Sequence, residues 1–440
     1  MAYYSEPSKL QLAIERYFKI PERNSTIGTE VRAGVTTFLA MVYIVPVNAA
    51  IMSLTGMPFD ALITATAVVT IISTILNGLW SNTPVAMSVG MGLNAYFTFG
   101  LVKGMGLPWQ TALGIVMLSG LFFLLLSGTR FRAWVIEMVP LDLRRAIGIG
   151  IGFFIASIGL EGMGVFKGDP HLIVTLGNLK EPAVVVGVLT TLLALILHHR
   201  RVKGAILIGI LAGAILGWFL GLAHFPKGIF ELPASLSPIA FKFDLEGALA
   251  PALLPVVLTF FATDLFDTIG TLAGIGIRAG LFTDGTESLQ RTLEVDAAAT
   301  VLGASLGTST TTSFIESLAG VEEGGRTGLT AVVTGLLFVT TLFFLPIYRA
   351  IPEPAIYGAL VAVGILMVSE LRNIDLGDLP TATATFLMIL MMPMTHSITL
   401  GLSGGFLAYL ILLAGTGQWD RINIGILVIG AIGAMAFLFH

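Results

Sequence analysis

The sequence predicts an all-α polytopic membrane protein of about fourteen transmembrane helices in two inverted repeats of seven. The third and tenth spans are expected to be broken, each into a short strand and a half-helix. Three observations predict this. First, 55% of the 440 residues are hydrophobic and only 11% are charged, and the mean hydropathy is +0.91. Apolar runs of roughly 17–25 residues each suffice to cross the hydrocarbon core as helices. Second, residues 307–325 (GTSTTTSFIESLAGVEEGG) sit between strongly apolar runs yet begin with six consecutive hydroxyl residues, 308–313, and cannot form an ordinary spanning helix. Third, Lys and Arg are distributed unevenly between the loops on the two sides of the first half.

In chain order, residues 1–30 read as a cytoplasmic leader. They carry charges throughout and lack the apolar core of a cleavable signal peptide. Within it, LQLAIERYFKI at 10–20 has the pattern of an interfacial amphipathic helix, with a solvated leader as the equal alternative. Apolar runs then place spans near 31–54, 61–80, 84–100, 110–128, 143–164, 182–198 and 204–224. In the first of these, Asn48 follows Pro46 and is a candidate to hydrogen-bond backbone freed at a kink. A linker, 225–247, closes this first repeat (31–224). The second repeat (248–440) offers runs at 248–277, 293–306, 308–321, 327–347, 354–369, 380–393, 397–415 and 422–440. Pro393-Met-Thr-His396 can break one of the last spans into two pieces, so 422–440 is either the fourteenth span or an added one.

On the side of the N-terminus, Lys9, Arg16, Lys19, Arg23, Arg32, Arg130, Arg132, Arg144, Arg145, Arg200, Arg201 and Lys203 make twelve cations. The opposite side has five: Lys103, Lys167, Lys180, Lys227 and Lys242. The positive-inside rule therefore places the N-terminus in the cytoplasm and the linker outside. An odd number of spans in the first half starts the second from the other side, which inverts it. Gly90 and Gly92 interrupt the third span (PVAMSVGMGLNAYFTFG), and the tenth is the hydroxyl-rich stretch. Interrupted segments at matching positions of two halves point to a transporter binding site, whereas glycines alone would imply only close helix packing.

Ionisable residues inside spans are costly and functional by default. Asp264 and Asp267, spaced i, i+3 in LTFFATDLFDTIGTLAG, share one helix face with Thr268 and Thr271. Two close carboxylates should not both ionise, which suits proton coupling; hydrogen bonding to a neighbouring helix or Na⁺ binding is the alternative. In the tenth span, Ser313-Phe-Ile-Glu316 has capping-box spacing, which predicts a half-helix starting near Ser313. Glu316 accepts hydrogen bonds only, so beyond that local role it suits a ligand with N–H groups. Thr312 and Ser313 beside it, with Asn94 and Gly92 in the third span, complete the candidate substrate contacts. Tyr96, Phe97 and Phe99 read as packing, with rings for ligand stacking as the alternative. Glu322, Glu323 and Arg326 read as an ion pair or solvated loop, Glu294 and Asp296 as acids opening a helix, and His396 as interfacial.

A net charge of -4 argues against nucleic-acid partners, and the absence of Cys excludes disulfides and thiolate metal sites. No cofactor or metal site is expected. No Gly-x-x-x-x-Gly-Lys-[Ser/Thr] loop supports ATP drive. An intramembrane enzyme would need acids from two helices, whereas Asp264 and Asp267 share one.

At these residues the chain resembles a known family. The motifs VGMGLNAYFTFG (89–100), ATDLFDTIGTLAG (262–274) and TSTTTSFIESLAGVEEGGRTGLTA (308–331) are similar to those of the AzgA-like purine permeases, a branch of the nucleobase–cation symporters. The resemblance implies fourteen helices in two inverted repeats, a core domain (spans 1–4 and 8–11) and a gate domain (spans 5–7 and 12–14) that slide past one another in an elevator-type cycle. It also implies import of hypoxanthine, guanine or adenine. Carried over residue by residue, it implies a site at Gly92, Asn94, Asp264, Asp267 and Glu316. Glu316 and one aspartate would meet the purine's N–H edge, and the other aspartate would couple H⁺, with Na⁺ the alternative ion. The Asn/Gln-Gly and Thr-Arg signature of uracil and xanthine permeases is missing from the tenth span. With His440 directly after an apolar run, no soluble C-terminal domain like that of sulfate-permease relatives is expected. An anion carrier on the same scaffold, or a uracil/xanthine permease, is the alternative. The expected setting is the lipid bilayer of the cell membrane, with homodimerisation left open.

Overall fold

The computed structural model describes residues 8–127, 139–168, 174–281 and 287–438. Residues 1–7 of the leader, residue 128 at the end of the fourth expected span, Arg130 and Arg132 of the charge count, and residues 439–440 lie outside the described residues.

The leader forms helix α1 (Lys9–Phe18), capped by Ser8, whose side chain accepts from the Gln11 amide. Leu10, Leu12 and Tyr17 stay exposed, while Phe18 and Ile20 pack on Leu329. The first span is two helices, α2 (Ile27–Met41) and α3 (Ile44–Ser53). The break at 42–43 falls one turn before Pro46, which has no N–H for the Val42 carbonyl and crowds it. Asn48 does not repair this break; its side chain bonds other elements instead. Helix α4 (Phe59–Trp80) follows, then strand β1 (Met87–Val89), helix α5 (Met91–Ala95) and a π-helical stretch (Tyr96–Gly104). Helices α6 (Trp109–Ser127) and α7 (Leu141–Gly162) come next. A hairpin absent from the sequence reading, β2 (Phe166–Gly168) with β3 (Val174–Leu176), precedes α8 (Pro182–His199) and α9 (Ala205–Phe219).

The linker runs irregularly to α10 (Leu245–Ala248) and is pinned by backbone bonds from Glu231 to Phe343, Phe241 to Ser305 and Asp244 to Gln110. The second half comprises α11 (Leu254–Ala279), α12 (Glu287–Leu306), β4 (Thr311–Ser313), α13 (Ser317–Glu322), α14 (Gly328–Thr341), α15 (Leu345–Arg349), α16 (Glu353–Val368), α17 (Leu379–Thr395), α18 (Ile398–Gly415) and α19 (Ile424–Leu438). Among the described residues, eight helices are long and apolar enough to cross a membrane. α9, α14 and α17 are apolar but shorter. Pro393 does not split a span. It lies two residues before the end of α17, and the chain turns at His396 (φ 51°) and Ser397 into α18, which packs along α17.

Two helical groups emerge. In one, α14 packs on α4 and α2, and α12 on α6 and α4. In the other, α7 packs on α16 and α17, and α8 on α9 and α16. Two crossings in the second group are glycine on glycine: a Cβ on Gly358 would collide with the Gly187 carbonyl oxygen and one on Gly364 would sit 2.5 Å from that of Gly152, the close approach that small residues permit in membranes. Contacts between the groups are sparser, through α5 and α11 against α7 and through α3 against α16.

At the start of α17, Asp378 caps Thr381 N (3.2 Å) and receives a two-pronged guanidinium contact from Arg421 (2.8 and 2.9 Å). Those bonds hold its carboxyl well below the ordinary carboxylate range. Replacing Asp378 by Ala should cost about 1–2 kcal/mol in detergent thermal unfolding, as the cap and the partner of Arg421 disappear together. Asn, which keeps a cap, should cost less. Because the folded pKa is depressed, this stability is complete above the unfolded value of about 4 and fades only as pH falls below it. Titration between pH 6 and 8 should therefore show no slope from this group.

Candidate functional site

Strands β1 and β4 pair antiparallel, with Met87 opposite Ser313, Ser88 opposite Thr312 and Val89 opposite Thr311. All six residues are buried. Backbone bonds extend the ladder at both ends, from Gly90 N to Thr310 O (3.0 Å) and from Phe314 N to Ala86 O (2.9 Å). This two-stranded ribbon has two open edges in an apolar interior, and a lone unsatisfied backbone group at such depth is expensive.

A threonine serves each edge. On α4, Thr74 Oγ1 accepts from Met87 N (3.0 Å) and donates to Met87 O (2.8 Å). On α12, Thr300 Oγ1 accepts from Thr311 N (3.2 Å) and lies 3.0 Å from Thr311 O. Met87 and Thr311 are the first residues of their strands, so the same device recurs in the two halves. Asn77 Nδ2 adds a donor to Val85 O (2.7 Å), and Thr70 pairs with Ser88 (2.6 Å).

Thr300 differs from Thr74 in one respect: its hydroxyl also lies 3.0 Å from Asp264 Oδ2. One proton thus faces two acceptors. Asp264 is fully buried, and its Oδ1 has no hydrogen-bond partner among the described residues. Asp267, three residues along α11, is only partly buried. A second buried carboxylate at β4 comes from another helix, Asp296 on α12.

Asp296 does not open a helix. α12 begins by Glu287, so this residue lies more than two turns inside, fully buried. It accepts from Ser313 N (2.9 Å), Ser313 Oγ (3.2 Å) and Thr268 Oγ1 (2.8 Å). Since Thr268 donates to Asp296, it accepts from Thr312 (2.6 Å). The hydroxyls of Thr312 and Ser313 are thereby tied to Thr268 and Asp296. The sequence signal for this was available in Thr292, Asp296 and Thr300, a polar stripe at i, i+4, i+8.

The capping box fails for the same reason: Ser313 is occupied by Asp296, and α13 starts only at Ser317, with no side-chain cap bond from Glu316. Glu316 is instead held by Tyr43, whose hydroxyl donates to Oε1 at 2.5 Å from the break between α2 and α3. Tyr43 was not singled out by sequence reasoning.

In the third span, Asn94 is fully buried and donates through Nδ2 to Asn48 Oδ1 (2.5 Å). Asn48 donates in turn to Thr66 (2.7 Å) and Thr308 (3.1 Å). A Cβ on Gly92 would collide with Ile151 of α7, so glycine there lets the half-helix meet the other helical group. Tyr96 and Phe97 are core residues, Tyr96 stacked on Phe260 (5.3 Å) and bonded to Thr399. Glu322 and Glu323 pair with Arg278 and Lys203, and His396 lies half-buried beside Glu161 (3.6 Å).

The Permease family model matches residues 28–404, and the chain belongs to that family. A putative permease of Methanocaldococcus jannaschii is 42% identical, covering 97% of this chain and 98% of its own. The adenine permease AdeP of Escherichia coli (97% of this chain, 96% of its own) and the guanine/hypoxanthine permease PbuO of Bacillus subtilis (92% and 96%) are each 39% identical. The transmembrane domain of the cyanobacterial bicarbonate transporter BicA shares the fold at a TM-score of 0.65 and 16% identity, covering 84% of this chain and 96% of its own. The protein is therefore a membrane-embedded permease, as the motifs implied, and not an enzyme. Acids from two helices, Asp264 and Asp296, do converge at β4, but the relatives are permeases.

Removing the Thr74 or Thr300 hydroxyl by substitution with Val leaves a strand N–H unmatched. Each should cost about 1–3 kcal/mol of stability, read as a lower unfolding temperature in detergent, and Ser at either position should restore most of it.

Proposed function

We propose that this permease imports purine nucleobases (hypoxanthine, guanine or adenine) by proton symport across the cell membrane, with its N-terminus cytoplasmic. The observation that carries the reading is the gathering of Asp264, Asp267 and Glu316 at the β1–β4 ribbon. An ionised carboxylate only accepts hydrogen bonds, so these groups suit a flat neutral ligand with N–H edges and oppose an anion. The purines named for AdeP and PbuO support the same ligand class. BicA supports the scaffold and says nothing of the cargo.

On this reading Glu316, fixed by Tyr43, and Asp264 take purine N–H groups. Asn94 and Gly92 form the facing wall, and Thr312 and Ser313 hold the strand behind Glu316. Asp267 carries the coupled proton, with Asp264 as the alternative carrier and Na⁺ as the alternative ion. Thr300 offers a physical route for coupling. A protonated Asp264 can donate to Thr300 and release that hydroxyl to Thr311, so loading would reach the strand backbone. The two helical groups support a core of spans 1–4 and 8–11 and a gate of α7–α9 and α16–α18, sliding along the contact at Gly92 and Ile151. The matched Thr74 and Thr300 contacts support fourteen spans in inverted repeats.

The test is uptake of radiolabelled hypoxanthine and adenine in cells lacking their own purine permeases. Saturable uptake abolished by a protonophore and insensitive to Na⁺ removal is expected. Guanine should compete, and sulfate and bicarbonate should not. Glu316→Gln should lower transport by about 10–100-fold, the weight of a charged hydrogen bond, and Tyr43→Phe by less. Competition by the anions with none by purines would overturn the assignment.

A further inference from the structure

We propose that Asn48 is a positioning residue that fixes which way the Asn94 amide faces, so that the third-span wall offers a carbonyl oxygen to a purine N–H. The inference rests on the purine reading and deepens it.

The side chains concerned, Asn48, Thr66, Asn94 and Thr308, are all fully buried. The polarity of their hydrogen bonds runs one way. Thr66 spends its hydroxyl proton on the Leu62 carbonyl, 2.7 Å away and one turn back on α4. Toward Asn48 it can only accept. Thr308 directs its proton to the Met52 sulfur at 3.5 Å and likewise accepts from Asn48. Both N–H bonds of Asn48 are thus committed, to Thr66 at 2.7 Å and Thr308 at 3.1 Å. Only Oδ1 of Asn48 remains to face Asn94.

Asn94 must answer with its own Nδ2, at 2.5 Å. In a planar amide, fixing the nitrogen fixes the oxygen on the other side. That oxygen, Asn94 Oδ1, is buried and has no partner among the described residues. Thr98, about one turn further along the same segment, also leaves its buried hydroxyl unmatched. Buried acceptors without donors are costly, and a ligand N–H removes that cost. The orientation is therefore imposed from the Leu62 backbone through three side chains, none of which needs to touch the substrate except Asn94.

The test measures inhibition constants for hypoxanthine, adenine and their N1-, N7- and N9-methyl derivatives in uptake competition, for wild type, Asn48→Ala and Thr66→Val. Methylation at the ring position that meets Asn94 carries a penalty in wild type. In Asn48→Ala the amide is free to turn, and that penalty should fall by about threefold to tenfold, the worth of one neutral hydrogen bond. Penalties at the other positions should hold. Thr66→Val, nearly isosteric, should shift the same position in the same direction by less, and it serves if Asn48→Ala fails to reach the membrane. Lower maximal uptake with an unchanged pattern of methyl penalties in both variants means a purely structural role and overturns the proposal alone. Wild type that takes up no purine removes the purine reading and this proposal with it.

Discussion

The structure depends on satisfying extended backbone in an apolar interior. A helix closes its own hydrogen bonds, but β1 and β4 cannot, and pairing with each other completes only one edge of each. The outer edges are completed by side chains from helices that would otherwise have no reason to carry them: Thr74 and Asn77 on α4, Thr300 and Asp296 on α12. This explains why those two helices, though at membrane depth, bear polar stripes. It also explains why they flank the ribbon so closely, since a hydroxyl must come within about 3 Å of the strand to serve.

The same requirement sorts the acids into two kinds. Asp296 accepts three hydrogen bonds, two of them from Ser313, and its carboxylate is consumed in holding β4. Asp264 receives one shared proton from Thr300 and keeps an unmatched oxygen. Asp267 and Glu316 are only partly buried, and Glu316 is oriented by a tyrosine at the break in the first span. Side chains with bonding capacity left over are the ones able to take a ligand or a proton. By that measure Asp264, Asp267, Glu316 and Asn94 stand apart from Asp296, Thr312 and Ser313.

Much of this was legible in the sequence because the physics is local. Run length and composition gave the membrane class. Six hydroxyls between apolar runs, and Gly90 with Gly92, gave the two broken segments, and both are strands followed by short helices. What failed was long-range partner choice. Ser313 and Glu316 have capping-box spacing, yet Asp296 lies 17 residues before Ser313 and Tyr43 lies 273 residues before Glu316, and these distant partners win. Pro46, two residues before Asn48, points to a local role at the kink, but the bonds of Asn48 go to Thr66, Thr308 and Asn94. Spacing rules describe what a residue can do within its own helix. A fully packed polar layer lets a third party outbid that option, and one chain read alone does not reveal the bidder.

Pro46 illustrates how a single local fault can serve the whole layer. By splitting the first span at 42–43 it ends α2 and turns the start of α3. In an unbroken α-helix Tyr43 and Asn48, five residues apart, would point about 140° away from one another. Here one reaches Glu316, between β4 and α13, and the other reaches both Thr308, just before β4, and Asn94, just after β1. The first span thus grips the ribbon region at three points without contributing a strand. Restoring a continuous helix would have to give up at least one of those contacts. The kink is therefore better understood as part of how the broken segments are held than as a defect tolerated near them.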